Sequence, residues 1–159
     1  MESSTEDNGD STGDSRMLTT EGLSTRQIGG TYAFGEDIEK GPIGSIRIYP
    51  ITDSTAFFFL DVNRGSPSYN MGQIQGKMVI DNRIGHYSAN PLNETQSCEL
   101  IFEFSQNSLI VTSVDGQNNC GFGFGVYADH EFKVVDHSIP QFFIYGPGDT
   151  IRFEDLLEK

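Results

Sequence analysis

The sequence is poor in positive charge. Ten lysines and arginines stand against 23 aspartates and glutamates, for a formal net charge of −13 at pH 7. No basic stripe is present, which excludes nucleic acid as the expected partner. Adhesion to anionic lipid by charge alone is excluded on the same ground. No apolar run reaches the ~18–20 residues of a membrane-spanning helix. Met1 is followed at once by acids and serines, without the charged and apolar regions of a secretory leader. If the protein is exported, the sequence is expected to be that of a mature form. A GxSxG elbow, an HExxH pair and a CxxC pair are all missing. With no catalytic constellation, the expectation is a protein that is not an enzyme and carries no cofactor.

Helical periodicity is missing as well. No stretch of about a dozen residues repeats its apolar positions at helical spacing. Residues 1–27 are rich in Ser, Thr, Gly, Asp and Glu, and residues 1–15 hold five acids and no base. Such a segment buries too little apolar surface to offset its ordering entropy, so it reads as a disordered acidic tether. Its Asp7-Asn8-Gly9-Asp10 stretch lacks the regular carboxylate spacing of a calcium loop.

From Gly29 onward, short apolar runs alternate with turn residues at the roughly 8–12-residue spacing of an all-β fold. Residues 28–159 are expected to form one domain. Its strands are expected at 31–34, 44–51, 55–62, 69–80, 84–89, 98–105, 108–113 and 120–134. A last hairpin at 142–145 and 151–153 and a short helical end at 154–159 would complete it. Residues 55–62, TAFFFLDV, are apolar on both faces. One face can fill an interior; the other needs cover from the tail, a partner or the C-terminal segment. Gly72 and Gly76 inside a long strand mark a bend or a close approach. The connections alternate between long (35–42, 63–68, 91–97) and short (52–54, 81–83, 105–107), with 115–119 intermediate. In a meander every second connection lies at the same end, so the long ones gather on one rim. The reading is an antiparallel up-and-down β-barrel of about eight strands, lipocalin-like in outline, with a two-layer β-sandwich as the alternative.

Cys98-Leu100-Phe102-Phe104 and Cys120-Phe122-Phe124-Val126 each place a cysteine on the apolar face of an alternating run. If residues 98–134 zigzag through three strands, both cysteines meet at one end of the sheet. Disulfide geometry needs Cα atoms ~4.4–6.8 Å apart, which that convergence satisfies. A Cys98–Cys120 bridge is therefore expected over two free buried thiols. It would contribute on the order of 3 kcal/mol and would favour an oxidising compartment.

Several motifs have plain readings. The glycines of Gly121-Phe122-Gly123-Phe124-Gly125 recur every second residue, which suits a strand strip and not a nucleotide loop. His86, His130 and His137 are expected to be ordinary surface histidines, with no metal site. Glu99 and Glu103 fall on the solvent face, where charge is unremarkable. Asn93-Glu94-Thr95 fits a glycosylation sequon in a loop. Arg64, Tyr69, Asn118 and Asn119 fall on or near the long-loop rim, and arginine, tyrosine and amides are a mixture suited to protein recognition.

Gly30-Thr31-Tyr32, Gly72-Gln73-Ile74-Gln75-Gly76, Cys98-Glu99-Leu100-Ile101-Phe102, Cys120 and Gly125-Val126 form a pattern over most of the folded region. It resembles small exported bacterial β-barrel proteins, often lipoproteins, including the β-domain of the LprI-type lysozyme-inhibitor family. His130 and Phe132 stand where such proteins often carry a glycine and a tyrosine. The resemblance implies a periplasmic or outer-membrane lipoprotein, touching the membrane only through a lipid anchor outside this sequence. The expected function is a non-enzymatic binding or inhibitor module of the bacterial envelope. It would engage a protein partner, such as a lysozyme or a toxin, through the long loops. The alternative is a lipocalin-like carrier of a small hydrophobic ligand.

Overall fold

Phe57, Phe58, Phe59 and Leu60 give one strand two apolar faces, and the fold covers both. The computed structural model describes residues 25–93, 96–114 and 120–157. Its strands are β1 (Gly30–Phe34), β2 (Ile43–Thr52), β3 (Thr55–Asn63), β4 (Met71–Asp81), β5 (Ile84–Asn93), β6 (Gln96–Phe104), β7 (Ser108–Ser113) and β8 (Glu131–Asp136). These close into an up-and-down barrel in sequence order, each neighbour antiparallel, with β8 pairing back onto β1. The barrel, rather than a sandwich, is the architecture.

The first face of β3 fills the barrel. Phe58 and Leu60 meet Ile46 and Ile48 of β2, Met78 of β4, Leu100 and Phe102 of β6, Leu109 of β7 and Phe132 of β8, all fully buried. A side chain with no accessible surface borders no void that water could enter. The interior at this level is filled by its own side chains, as small barrels commonly are. Fully burying one such side chain contributes about 1.5–3 kcal/mol. A 3-10 turn, Thr25–Ile28, lies at the end opposite the long loops and adds Ile28 to the same core. Tyr32 donates its hydroxyl to the Ile28 carbonyl at 2.7 Å. Burial pushes that phenol up to about 12.

The second face is covered by the C-terminal segment. Strands β9 (Phe142–Tyr145) and β10 (Asp149–Arg152) form a separate hairpin, followed by the short helix α1 (Phe153–Leu156). Phe143 stacks on Phe59 with ring centroids 4.4 Å apart, and Phe153 stacks on Tyr49 at 5.1 Å. Arg47 on β2 fastens the hairpin by donating from Nη1 to the Phe142 carbonyl at 2.7 Å.

Connections 35–42 and 64–70, and residues 120–130 leading into β8, lie at one end, and 53–54, 82–83 and 105–107 at the other. The two-residue turn at Asn82 and Arg83 takes positive φ at both positions (57° and 69°), the twist a tight hairpin needs. Gly72 and Gly76 are sites of close approach, the first beneath the Phe122 ring and the second beneath Tyr87.

Cys98, near the start of β6, is bridged to Cys120 with Cα atoms 4.7 Å apart. The bridge therefore lies toward the long-loop end, although Cys120 is not in a strand. Residues 120–130 form an irregular segment, and only Glu131–Asp136 is β8. Alternation misled here because Gly121 and Gly125 take φ of 82° and 78°, which breaks an extended run while leaving Cys120, Val126 and Ala128 pointed into the core. The span 91–97 is not a long loop either. β5 runs to Asn93 and β6 begins at Gln96, with a register shift between Ala89 and Asn93. Residues 1–24 of the expected tether, and Glu94 and Thr95 of the sequon, lie outside the described residues.

Candidate functional site

The connection 64–70 is the hub of the long-loop rim, and Asn63 at the end of β3 shapes it. Its Oδ1 accepts the Gly65 amide at 2.7 Å, and its Nδ2 donates to the Tyr69 carbonyl at 3.2 Å. The Tyr69 amide donates to Gly65, and that of Arg64 to Asn70. These bonds hold Tyr69 at φ 56°, a left-handed conformation that costs a non-glycine residue of order 1 kcal/mol or more. The strained backbone turns the Tyr69 ring outward, where its hydroxyl donates to Glu39 Oε1 in the 35–42 connection at 2.6 Å.

On its other side the hub grips the 120–130 segment. Asn70 Nδ2 donates to the Phe124 carbonyl at 2.9 Å, and Arg64 Nη1 donates to the same oxygen at 3.4 Å. The Gly123 amide donates to Met71, and the Val126 amide donates back to Gly123. With its backbone pinned, Phe124 projects its ring into solvent and is 82% exposed. The Arg64 guanidinium carbon lies 5.7 Å from that ring's centroid, a cation–π pair. Tyr69, Met71 and Tyr127 are also exposed in these connecting segments and at the start of β4.

Of the residues singled out from sequence, Arg64 and Tyr69 both belong to this rim. They share one connection and face different neighbours. Asn118 and Asn119 lie outside the described residues. Phe124, Asn70 and Met71 were not singled out. Two-residue spacing from Val126 points Phe124 inward, and only the glycine density of residues 121–125 signals an interrupted strand. The other noted polar residues have local structural roles. Asp129 accepts from the Ser113 amide and hydroxyl at 2.9 and 2.7 Å. His86 pairs with Glu99 at 3.1 Å on the outer wall. His130 stacks on Phe34 with centroids 3.9 Å apart, and burial lowers its pKa.

Beside the hub, on the outer wall, lies a groove of about 410 Å³. Ala33, Ser45 and Asp61 floor it, from β1, β2 and β3; Ile38, Ile43 and Met71 also line it. Asp61 is half-buried. Loss of hydration raises its carboxyl above the usual value, and a hydrogen bond from the Gln73 side chain partly opposes this.

No protein-family model, curated protein or solved structure matches the chain.

Proposed function

We propose that this chain is a non-enzymatic binding or inhibitor module that engages a protein partner through its long-loop rim. The observation that carries the reading is Phe124, whose ring is 82% exposed while its backbone carbonyl is held by Asn70 and Arg64. An apolar ring exposed to water costs free energy that burial against a partner recovers. Aromatic residues and arginine are enriched at protein interfaces, where a few anchors carry most of the binding energy. The filled interior supports the rim over a hydrophobic ligand carried inside the barrel. The disulfide favours an oxidising location, consistent with a periplasmic or surface-anchored protein of the bacterial envelope. Strong acidity suits a basic target, because long-range attraction raises the association rate. A lysozyme is one such target and a basic toxin another.

Lysozyme is the direct probe. Clearing of a cell-wall suspension is followed with increasing amounts of the purified protein and of Phe124→Ala. Protection is expected, with the variant needing roughly 30-fold more protein, the loss that an anchor worth about 2 kcal/mol implies. Equal protection by both proteins would remove Phe124 as the anchor. Unimpeded clearing at every ratio would remove lysozyme as the target.

A further inference from the structure

We infer that the groove over Asp61 is a receptor for a lysine or arginine side chain projecting from the protein that covers Phe124. This deepens the rim reading and rests on it.

The groove matches both halves of such a side chain. Ile38, Ile43 and Met71 offer apolar walls to an aliphatic stem. Asp61 offers a carboxylate to the cationic head. Its cross-strand neighbours on the same face are Ser45 on β2 and Gln73 on β4, both neutral. Among the described residues Lys133 pairs with Glu131, Arg152 pairs with Glu154 and His86 contacts Glu99, and none of these cations reaches Asp61. Glu36 at the groove adds a second negative charge. A half-buried carboxylate with no cation of its own gains more from an incoming one than a solvated carboxylate does, because its hydration is already reduced.

Position supplies the link to the partner. Met71 lines the groove, and its carbonyl accepts the Gly123 amide next to Phe124. A surface seated on the Phe124 ring therefore lies alongside the groove.

The probe is Nα-acetyl-lysine methylamide, titrated into the 15N-labelled full chain, with the norleucine analogue as the uncharged control. Saturable shifts are expected at the Ser45, Asp61 and Asn63 amides for lysine and not for norleucine. Asp61→Asn should abolish them. Ser45→Lys should do the same by placing a lysine of the chain itself beside Asp61, which guards against one variant failing to fold. Absence of saturable shifts, equal response to norleucine, or full binding by both folded variants overturns the receptor. Phe124→Ala should leave lysine binding unchanged. A silent groove with Phe124-dependent lysozyme protection intact therefore sinks this inference alone. A lysine-binding groove with Phe124-independent protection sinks the rim, and with it the partner assigned to the groove, while the cation site itself stands.

Discussion

The Gly146 amide donates to Gln73 Oε1 at 2.9 Å, and the same Gln73 side chain hydrogen-bonds to Asp61. One carboxamide thus joins the turn of the C-terminal hairpin to the carboxylate of the outer groove. Its oxygen is committed to the hairpin, which leaves its amino group for Asp61. Replacing it by leucine, Gln73→Leu, removes both bonds. The expected cost is about 1 kcal/mol, with faster hydrogen exchange at Gly146. Loss of the Gln73 donor should also move the Asp61 titration further upward, read from its carboxyl 13C shift. An unmoved Asp61 midpoint would show that the bond does nothing for the charge.

The hairpin itself is held by rings. Phe153 is fully buried and lies against Tyr49, Phe57 and Phe143. Phe153→Ala should lower stability by about 3–5 kcal/mol, whereas Leu157→Ala, at a site 49% exposed, should stay within about 0.5 kcal/mol. Urea midpoints of the two variants test whether the C-terminal segment is part of the cooperative fold. Similar midpoints would mean the hairpin detaches before the barrel melts.

The barrel was legible because period-two alternation states which side chains face inward. Phe58 and Leu60, or Leu100 and Phe102, are core residues by spacing alone. TAFFFLDV also declared that its outer face needed a cover, and Phe143 and Phe153 provide it. Alternation carries no information on φ, so Gly121 and Gly125 broke the expected strand at 120–134 unseen. The rim was half legible for the same reason. Arg64 and Tyr69 fall in a long connection that spacing locates, but the placement of Phe124 depends on the Asn70 side-chain bond to its carbonyl and on the Gly123 amide bond to Met71, which no pattern encodes. The Asp61 groove is built from four different segments, so no local stretch announces it.

The disulfide restrains the segment that carries Phe124. Cys98 and Cys120 are 22 positions apart, and opening a loop of that length should cost on the order of 3 kcal/mol. Unfolding with and without reductant measures this. Binding should suffer as well, because Phe124 lies four residues beyond the released anchor. A reduced protein that still protects as well as the oxidised one would show that the bonds from Asn70 and Arg64 suffice to hold the segment that carries Phe124.

Gly125 is a test of the cation–π pair. It takes φ 78°, and an added Cβ would lie 2.7 Å from Arg64 Nη1. Gly125→Ala therefore strains the backbone and displaces the guanidinium from the Phe124 ring. A stability loss of about 1–2 kcal/mol is expected, together with weaker partner binding. Arg64→Ala separates the two effects, since it removes the cation without straining the glycine. If Arg64→Ala binds as well as the unaltered chain, the ring alone is the anchor.

His130 should make stability fall with acidification. Its ring stacks on Phe34 and meets Phe132 edge-on. Burial lowers its pKa from 6.5, against smaller opposing effects from a backbone bond at Tyr127 and the charge of Asp129. A lowered pKa means that the unfolded chain binds the proton more readily. Stability therefore rises with pH across the window below 6.5 and is lost as pH falls through the folded value. Asp61 acts with the opposite sign: its carboxyl is raised above 3.8, so stability falls as pH climbs through that window. His130→Phe keeps a ring against Phe34 and removes only the titration, while Asp61 contributes equally to both proteins. Urea midpoints from about pH 4.5 to 7.5 should thus fall more steeply toward acid in the unaltered chain than in the variant. Parallel curves would mean that His130 titrates alike in the folded and unfolded chain, and the stack on Phe34 would then be an ordinary surface contact.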